Sequence, residues 1–377
     1  MTKRQIKFGD IRIGDIAKRH IDDCLRDNYV TCGPKSQLLS DKWAQLFNTK
    51  YSVGTSCGSS ANLCALLSLY NFGAKRGDKV IVPGLSFIAT ASSAIYAGFS
   101  PVYCDIDLNS LVIDENKLED LLKKYPEAVA IMPVTLMGRP FNAQAVWDLA
   151  IKYNKWIITD NCEGAGCKYN GQFIESYSHM STMSFYSAHL AFSVQRGEVS
   201  TNSDQIRDTL LSVRSHGRKP HSLYFEHDLL GSNFMPTDLN ACIGLEQIQY
   251  FWEIFNIRRH NWQLIRRELN ELSDIFHFCD ETDKCMSSPH AFSITFRKDK
   301  GNIKELSQYL NDNGIETKRN FGAMYTHQAL KGLGLNENCP NAEYIGDNGL
   351  HCGVHRYMDE EDCHYVADTI KNYIKNK

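Results

Sequence analysis

Short apolar runs alternate along this chain with stretches in which apolar residues recur every three or four positions. The helical period spans Gly14 to Asn28 and Ser36 to Asn48, with the turn-rich Val30-Thr31-Cys32-Gly33-Pro34 between them. A strand-like run from Tyr51 to Ser56 then passes through Cys57-Gly58-Ser59-Ser60-Ala61-Asn62-Leu63, which opens a helix to about Leu69. Further buried runs at Lys79 to Pro83, Pro101 to Ile106, Ala128 to Thr135, Trp156 to Thr159 and Met183 to Tyr186 read as strands. Helices are expected from Phe87 to Ala97, Glu115 to Lys124 and Ala143 to Tyr153. Strands that alternate with helices imply an α/β fold with a mainly parallel central sheet covered on both faces.

The pattern changes after Leu245. Leu245 to Leu272 is strongly helical, and a domain boundary is expected within it near Phe251. This divides the chain into a large domain, 1–250, with a helical lead-in, and a smaller C-terminal α+β domain, 251–377. Strands about Ile275 to Cys279 and Ala291 to Phe296, a helix from Asn302 to Asn313 and a last helix from Asp359 to Lys375 make up the second part. Neither an internal repeat nor a low-complexity segment interrupts the chain.

Composition narrows the class of partner. The 377 residues are 43% hydrophobic with a formal net charge of -3, ordinary for a soluble globular protein, and give no reason to expect nucleic acid or a membrane surface. The opening MTKRQIKFGD lacks the apolar core of a signal peptide, so a cytoplasmic location is expected. Thirteen cysteines, an odd number scattered from Cys24 to Cys363 without a C-x-x-C pair, read first as reduced thiols used as small buried hydrophobes. A metal or iron-sulphur site is the lesser alternative.

Three stretches carry candidate chemistry. The strand ending at Ser56 leads through small residues into a helix, so free backbone N–H groups and the helix dipole form a site for an anion; Ser59 or Ser60 acting only as a helix cap explains the same residues. Asp160 ends the Trp156 run and is followed by Asn161, Cys162 and Glu163. His189 follows Ser187 and Ala188 at the mouth of the Met183 strand. Ligands collect at the carboxyl ends of strands in α/β sheets, so Asp160 and His189 could face one crevice. A turn cap for Asp160, a core position for Phe87 and solvated positions for Lys318, Arg319 and His327 stand as the plain alternatives.

These stretches together resemble the DegT/DnrJ/EryC1/StrS family of fold type I enzymes that use pyridoxal phosphate. In that family an S-F-x-x-x-K segment holds the Schiff-base lysine; here Ser184 and Phe185 match, and His189 stands five positions after the serine where the lysine belongs. The exchange resembles the subgroup of sugar 3-dehydratases. The segment G-S-S-A-N-L resembles that subgroup's cofactor-phosphate loop, which makes Gly58 and Ser59 phosphate ligands, and Gly138 to Asn142 resembles its G-x-P-F-N turn. WIITDNCEGAG resembles L-x-E-D-N-C-D-A-x-G, with Asp160 as the partner of the pyridine nitrogen and Glu163 near the ring hydroxyl. By the same resemblance Phe87 stacks on the ring, and Asn233 reaches the phosphate of a neighbouring subunit in a homodimer with shared active sites. Arg218, Lys318, Arg319 and His327 fall where relatives contact the nucleotide-sugar. The family's G-E-G-G loop is replaced by Val194-Gln195-Arg196-Gly197, which leaves the loop's conformation and substrate fit open.

The resemblance implies a pyridoxal/pyridoxamine phosphate enzyme that removes the C3 hydroxyl of a nucleotide-linked 4-keto-6-deoxy sugar, with glutamate as amino donor. His189 would be the acid/base, since an imidazole moves protons but forms no stable Schiff base. The iron-sulphur relatives need a C-x-C beyond R-x-x-G-R, and no cysteine lies between Cys167 and Cys242. Another pyridoxamine-dependent sugar reaction of the aminotransferase kind and a non-catalytic scaffold are the competing readings.

Overall fold

The computed structural model describes residues 4–9, 11–219, 224–335 and 338–376. Helices α1 (Asp15–Arg26) and α2 (Pro34–Leu46) lead into β1 (Tyr51–Thr55) and α3 (Gly58–Ser68). β2 (Lys79–Pro83), α4 (Ala89–Ala97), β3 (Ser100–Cys104), α5 (Glu115–Lys124), β4 (Ala128–Ile131), α6 (Ala143–Tyr153) and β5 (Trp156–Asp160) continue the alternation. A two-residue pair, β6 (Lys168–Tyr169) and β7 (Gln172–Phe173), precedes β8 (Met180–Ser184), β9 (Gly197–Thr201) and α7 (Asp204–Val213). After α8 (Asp238–Gln247) and α9 (Phe251–Glu268) come β10 (Phe276–Phe278), β11 (Cys285–Met286), β12 (Phe292–Phe296), α10 (Ile303–Asp312), β13 (Thr317–Arg319), α11 (Pro340–Asn348), β14 (Gly349–Cys352) and α12 (Glu360–Lys375).

Seven strands form the central sheet in the order β1-β9-β8-β5-β4-β2-β3. Only β9 runs against its neighbours; the other pairings are parallel. Strands such as KVIVP in β2 are buried beyond their first residue because helices cover both faces. A second sheet, β10-β12-β14-β13, is antiparallel and backs onto α9, α10 and α12 through Phe276, Phe292, Phe296, Leu310 and Ile370.

Three expectations need correction. The strand expected at Met183 to Tyr186 is β8, which starts at Met180 and leaves the sheet at Ser184, its last paired residue. Its buried Ser181 and Thr182 hid the start from an apolar scan; Thr182 Oγ1 donates to Asn62 Oδ1, so the hydroxyl is satisfied. The helix expected over Leu245 to Leu272 is broken by a 3₁₀ turn, Ile248–Tyr250, between α8 and α9, and α8 itself begins earlier, capped by Thr237 Oγ1 on the Asn240 amide. Finally, neither Ser59 nor Ser60 caps α3: Cys57 is the N-cap, its Sγ accepting from the Ser60 amide at 3.4 Å.

Candidate active site

A cavity of about 550 Å³ opens where β1, β5 and β8 end, closed on its far side by β13 and β14 of the smaller sheet. Its floor begins at α3. The amides of Gly58 and Ser59 lie in the first turn, where no intrahelical carbonyl can reach them, and both residues line the cavity. Position 58 tolerates no side chain: a Cβ there would sit 2.6 Å from Ser184 Cβ and 3.1 Å from Cys162 Sγ.

Asp160 is held from behind at the tip of β5. Its Oδ2 accepts from Asn62 Nδ2 and from Thr90 Oγ1, each at 2.8 Å, whereas among the described residues Oδ1 receives only the Cys162 amide, at 3.3 Å. Thr182 fixes the Asn62 amide so that its nitrogen faces the carboxylate. One carboxylate oxygen is thus locked and the other remains open toward the cavity. Phe87 stands just before α4, half exposed, with its ring 6.0 Å from Phe321.

His189 sits on the turn after β8, its amide bonded to the Tyr186 carbonyl at 3.0 Å. The guanidinium of Arg258, on α9, donates to the carbonyls of Ala188 (2.9 Å), His189 (3.1 Å) and His290 (3.3 Å), which ties two loops to one buried charge. Burial first, and Arg258 second, push the His189 imidazole down to about 3, so it is neutral at physiological pH. Glu163 accepts from the Met137 amide at 2.7 Å through Oε2, and burial raises its carboxyl to about 7 against that hydrogen bond, with Asp160 adding to the rise. Ser184 Oγ accepts from the Tyr186 amide at 3.3 Å.

The cavity brings together Gly58, Ser59, Phe87, Asp160, Glu163, Ser184, His189, Lys318 and Arg319. Lys318 Nζ stacks over the Phe8 ring at 4.1 Å, and Arg319 donates to the carbonyls of Gly346 and Asp347. Three expected residues lie elsewhere in the single chain. Asn233 is exposed and accepts from the Met235 amide, Arg218 stacks on Phe225 at 4.7 Å, and His327 is exposed at the end of a 3₁₀ turn. The altered loop is ordered by Arg196, which turns wholly inward to Glu198, Ser36 and Ser40, while Val194 adopts φ 54°.

Sequence reasoning missed Asn62, Thr90, Phe8, Arg258, His290 and His351. The first two carried a signal, being polar residues at helical positions facing a strand end. The others come from segments far apart in the chain and meet only by folding.

A doubly wound sheet with an anion cradle at one helix, a braced carboxylate at one strand end and a small domain over both defines the fold type I architecture of pyridoxal-phosphate enzymes. Residues 12–371 match the DegT/DnrJ/EryC1/StrS aminotransferase family, and the chain belongs to it. It is 28% identical to GDP-4-keto-6-deoxy-D-mannose 3-dehydratase of Escherichia coli O55:H7, over 95% of this chain and 97% of that one. It is 27% identical to GDP-perosamine synthase of Escherichia coli O157:H7, over 96% of both. The solved E. coli GDP-4-keto-6-deoxy-D-mannose 3-dehydratase with bound hydrated PLP superposes with a TM-score of 0.90 at 26% identity, covering 97% of this chain and 100% of that one. Relatives at this level thus include dehydratases and sugar-amine synthases alike.

Proposed function

We propose that the chain is a pyridoxamine-phosphate-dependent 3-dehydratase of a nucleotide-linked 4-keto-6-deoxyhexose. The observation that carries this reading is His189: an imidazole, not an amine, occupies the β8 turn in a cavity shared with Asp160 and the α3 N-terminus. The residues fit the cofactor, because the first-turn amides of Gly58 and Ser59 line the cavity and Asp160 keeps one oxygen open for a ring N–H. When bound, pyridoxamine phosphate supplies an amine that condenses with the C4 ketone and a conjugated ring that accepts electrons.

In this reading the Gly58 and Ser59 amides hold the phosphate, Phe87 covers the ring, Asp160 keeps the proton on the ring nitrogen and Glu163 and Ser184 flank it. His189, neutral and free of any partner at Nδ1 among the described residues, accepts a proton at the reacting carbon and returns one to the departing C3 oxygen. Arg218, Lys318, Arg319 and His327 are assigned to the nucleotide-sugar and glutamate to recharging the cofactor; a solved relative with a trapped PLP–glutamate geminal diamine supports the donor. Exposed Tyr224, Phe225 and Leu230 near Asn233 support a homodimer that buries them.

An aminotransferase reading has one observation in its favour. Lys318 is the one lysine lining the cavity among the described residues. Incubation with GDP- and CDP-linked 4-keto-6-deoxy sugars, pyridoxamine phosphate and glutamate, followed by mass spectrometry, separates the two. Loss of one oxygen is expected; a ketone exchanged for an amine, with Lys318 modified after borohydride reduction, would overturn the dehydratase reading.

A further inference from the structure

The opening segment, residues 4–9, runs beside the smaller sheet and ends in the cavity wall. Arg4 Nε donates to Asp362 Oδ1 in the first turn of α12 at 2.5 Å. Ile6 pairs with Ile315, just before β13: its amide donates to the Gly314 carbonyl and its carbonyl accepts from the Glu316 amide, each at 2.8 Å, while its side chain is buried in that sheet's core. The Phe8 amide then donates to Glu316 Oε2 at 2.8 Å. These ties fix the place of the Phe8 ring. It lines the cavity, is 7% exposed, and meets the rings of His290 and His351 edge-on at 5.5 and 5.3 Å. The His290 ring in turn lies 5.0 Å from that of His189.

One face of the Phe8 ring carries Lys318, whose Nζ stands 4.1 Å from the ring centroid, within the range of a cation–π contact. Besides histidines, the cationic side chains lining the cavity among the described residues are Arg196, Lys318 and Arg319. Glu198 neutralises Arg196, and Arg319 Nη2 donates to the Gly346 and Asp347 carbonyls at the end of α11. The Lys318 ammonium has neither an ion pair nor a hydrogen bond among the described residues. An aromatic face holds an ammonium through its quadrupole and does not neutralise it, so the whole charge and all three N–H donors remain for an incoming anion. His351, kept neutral by burial first and by Lys318 second, adds no charge of its own.

We propose that Phe8 positions the Lys318 ammonium for the diphosphate of the nucleotide-linked sugar, which makes the opening segment part of the substrate site. This rests on the nucleotide-sugar reading of Lys318 given above and adds to it a positioning residue that lies outside residues 12–371, the stretch matched by the family. A diphosphate carries charge without a fixed plane and is met by an ammonium as a point charge, whereas the planar carboxylates of an amino donor suit a guanidinium fork. No bond is made or broken by this contact.

Calorimetric titration of the cofactor-loaded protein with GDP, CDP, UDP and dTDP reads the contact without turnover. For whichever binds, Phe8→Leu keeps apolar bulk but loses the π face and is expected to weaken binding about fivefold, while Phe8→Trp binds at least as tightly as the unmutated protein. Lys318→Met is expected to weaken binding about tenfold, and Phe8→Leu added to it costs nothing more. Unchanged binding in Phe8→Leu, or losses that multiply in the double variant as a purely structural role requires, overturns the proposal. Fluorinated phenylalanines at position 8 preserve the packing and weaken the quadrupole stepwise; affinity is expected to fall with each fluorine, and a flat series also overturns it. In turnover, Phe8→Leu is expected to raise the sugar KM about fivefold with kcat and the glutamate KM unchanged. A rise in the glutamate KM in place of the sugar KM counts against the proposal. Failure of the unmutated protein to bind any of the four diphosphates overturns it together with the nucleotide-sugar reading, whereas an amine product overturns the dehydratase reading alone and leaves the binding series to decide.

Discussion

Replacing His189 with lysine separates holding the cofactor from moving protons. His189→Lys is expected to retain pyridoxal phosphate covalently, read as a mass increase of one cofactor after borohydride reduction, and to lose the deoxygenation that the proposed function assigns to the chain. His189→Asn keeps cofactor affinity and slows the sugar step by about 10²–10⁴-fold in single-turnover measurements. Thr90→Val removes one of the two donors on Asp160 Oδ2, and a weakening of cofactor binding by about tenfold, or ~1.4 kcal/mol, is expected by spectroscopic titration. The principal candidate residues of the cavity were legible because a few short motifs carry them: Gly58, Asp160 and His189 each follow or end a local strand-to-turn pattern. Phe8, His290 and Arg258 were not, since each belongs to a segment whose own pattern says only core or surface. Arg258 in particular is a cation in a helix that reads as amphipathic, and its role is set by three carbonyls from two distant loops.

At the scale of elements, β9 shows what an apolar scan cannot find. Its sequence, GEVST, is polar, yet all five residues are buried. Glu198 pairs with Arg196 and accepts from Ser40 and Ser52, and both ions are fully enclosed. Removing one partner leaves a buried charge uncompensated, so Arg196→Met is expected to cost about 3–5 kcal/mol in urea unfolding, whereas Arg196→Met with Glu198→Leu recovers most of it. Val194 is a β-branched residue in the left-handed region. Val194→Gly relieves that strain and is expected to stabilise by about 1 kcal/mol, measured in the same way. At this loop a buried guanidinium, that of Arg196, fixes the turn. The parallel strands were easier to read, since burial on both faces makes them continuous apolar runs.

For the whole molecule, pH bears on stability through groups of opposite sign. Burial lowers His20, His179, His189, His277, His290 and His351, so below about pH 6.5 the unfolded chain takes up protons that the folded chain refuses. Stability therefore falls as pH drops. Glu163 and Glu175, each raised to about 7, act in reverse: from about 4.5 to 7 the unfolded chain releases protons that the folded chain keeps, which lowers stability as pH rises. The histidines outnumber the glutamates, and a urea midpoint that climbs from pH 5 to 6.5 is expected; a midpoint that falls over that range contradicts these assignments.

Helix α9 links the two sheets. Its first half, with Phe251, Ile254 and Phe255, is sunk in the cluster around Trp43 and Phe185, and its second half, with Trp262 and Ile265, in the cluster of the smaller sheet. Arg258 falls midway between them. A rod embedded at both ends acts as an axle: if the smaller lobe swings to admit or release a bulky nucleotide, the two imidazoles ride on the axle's midpoint and keep their spacing through the stroke.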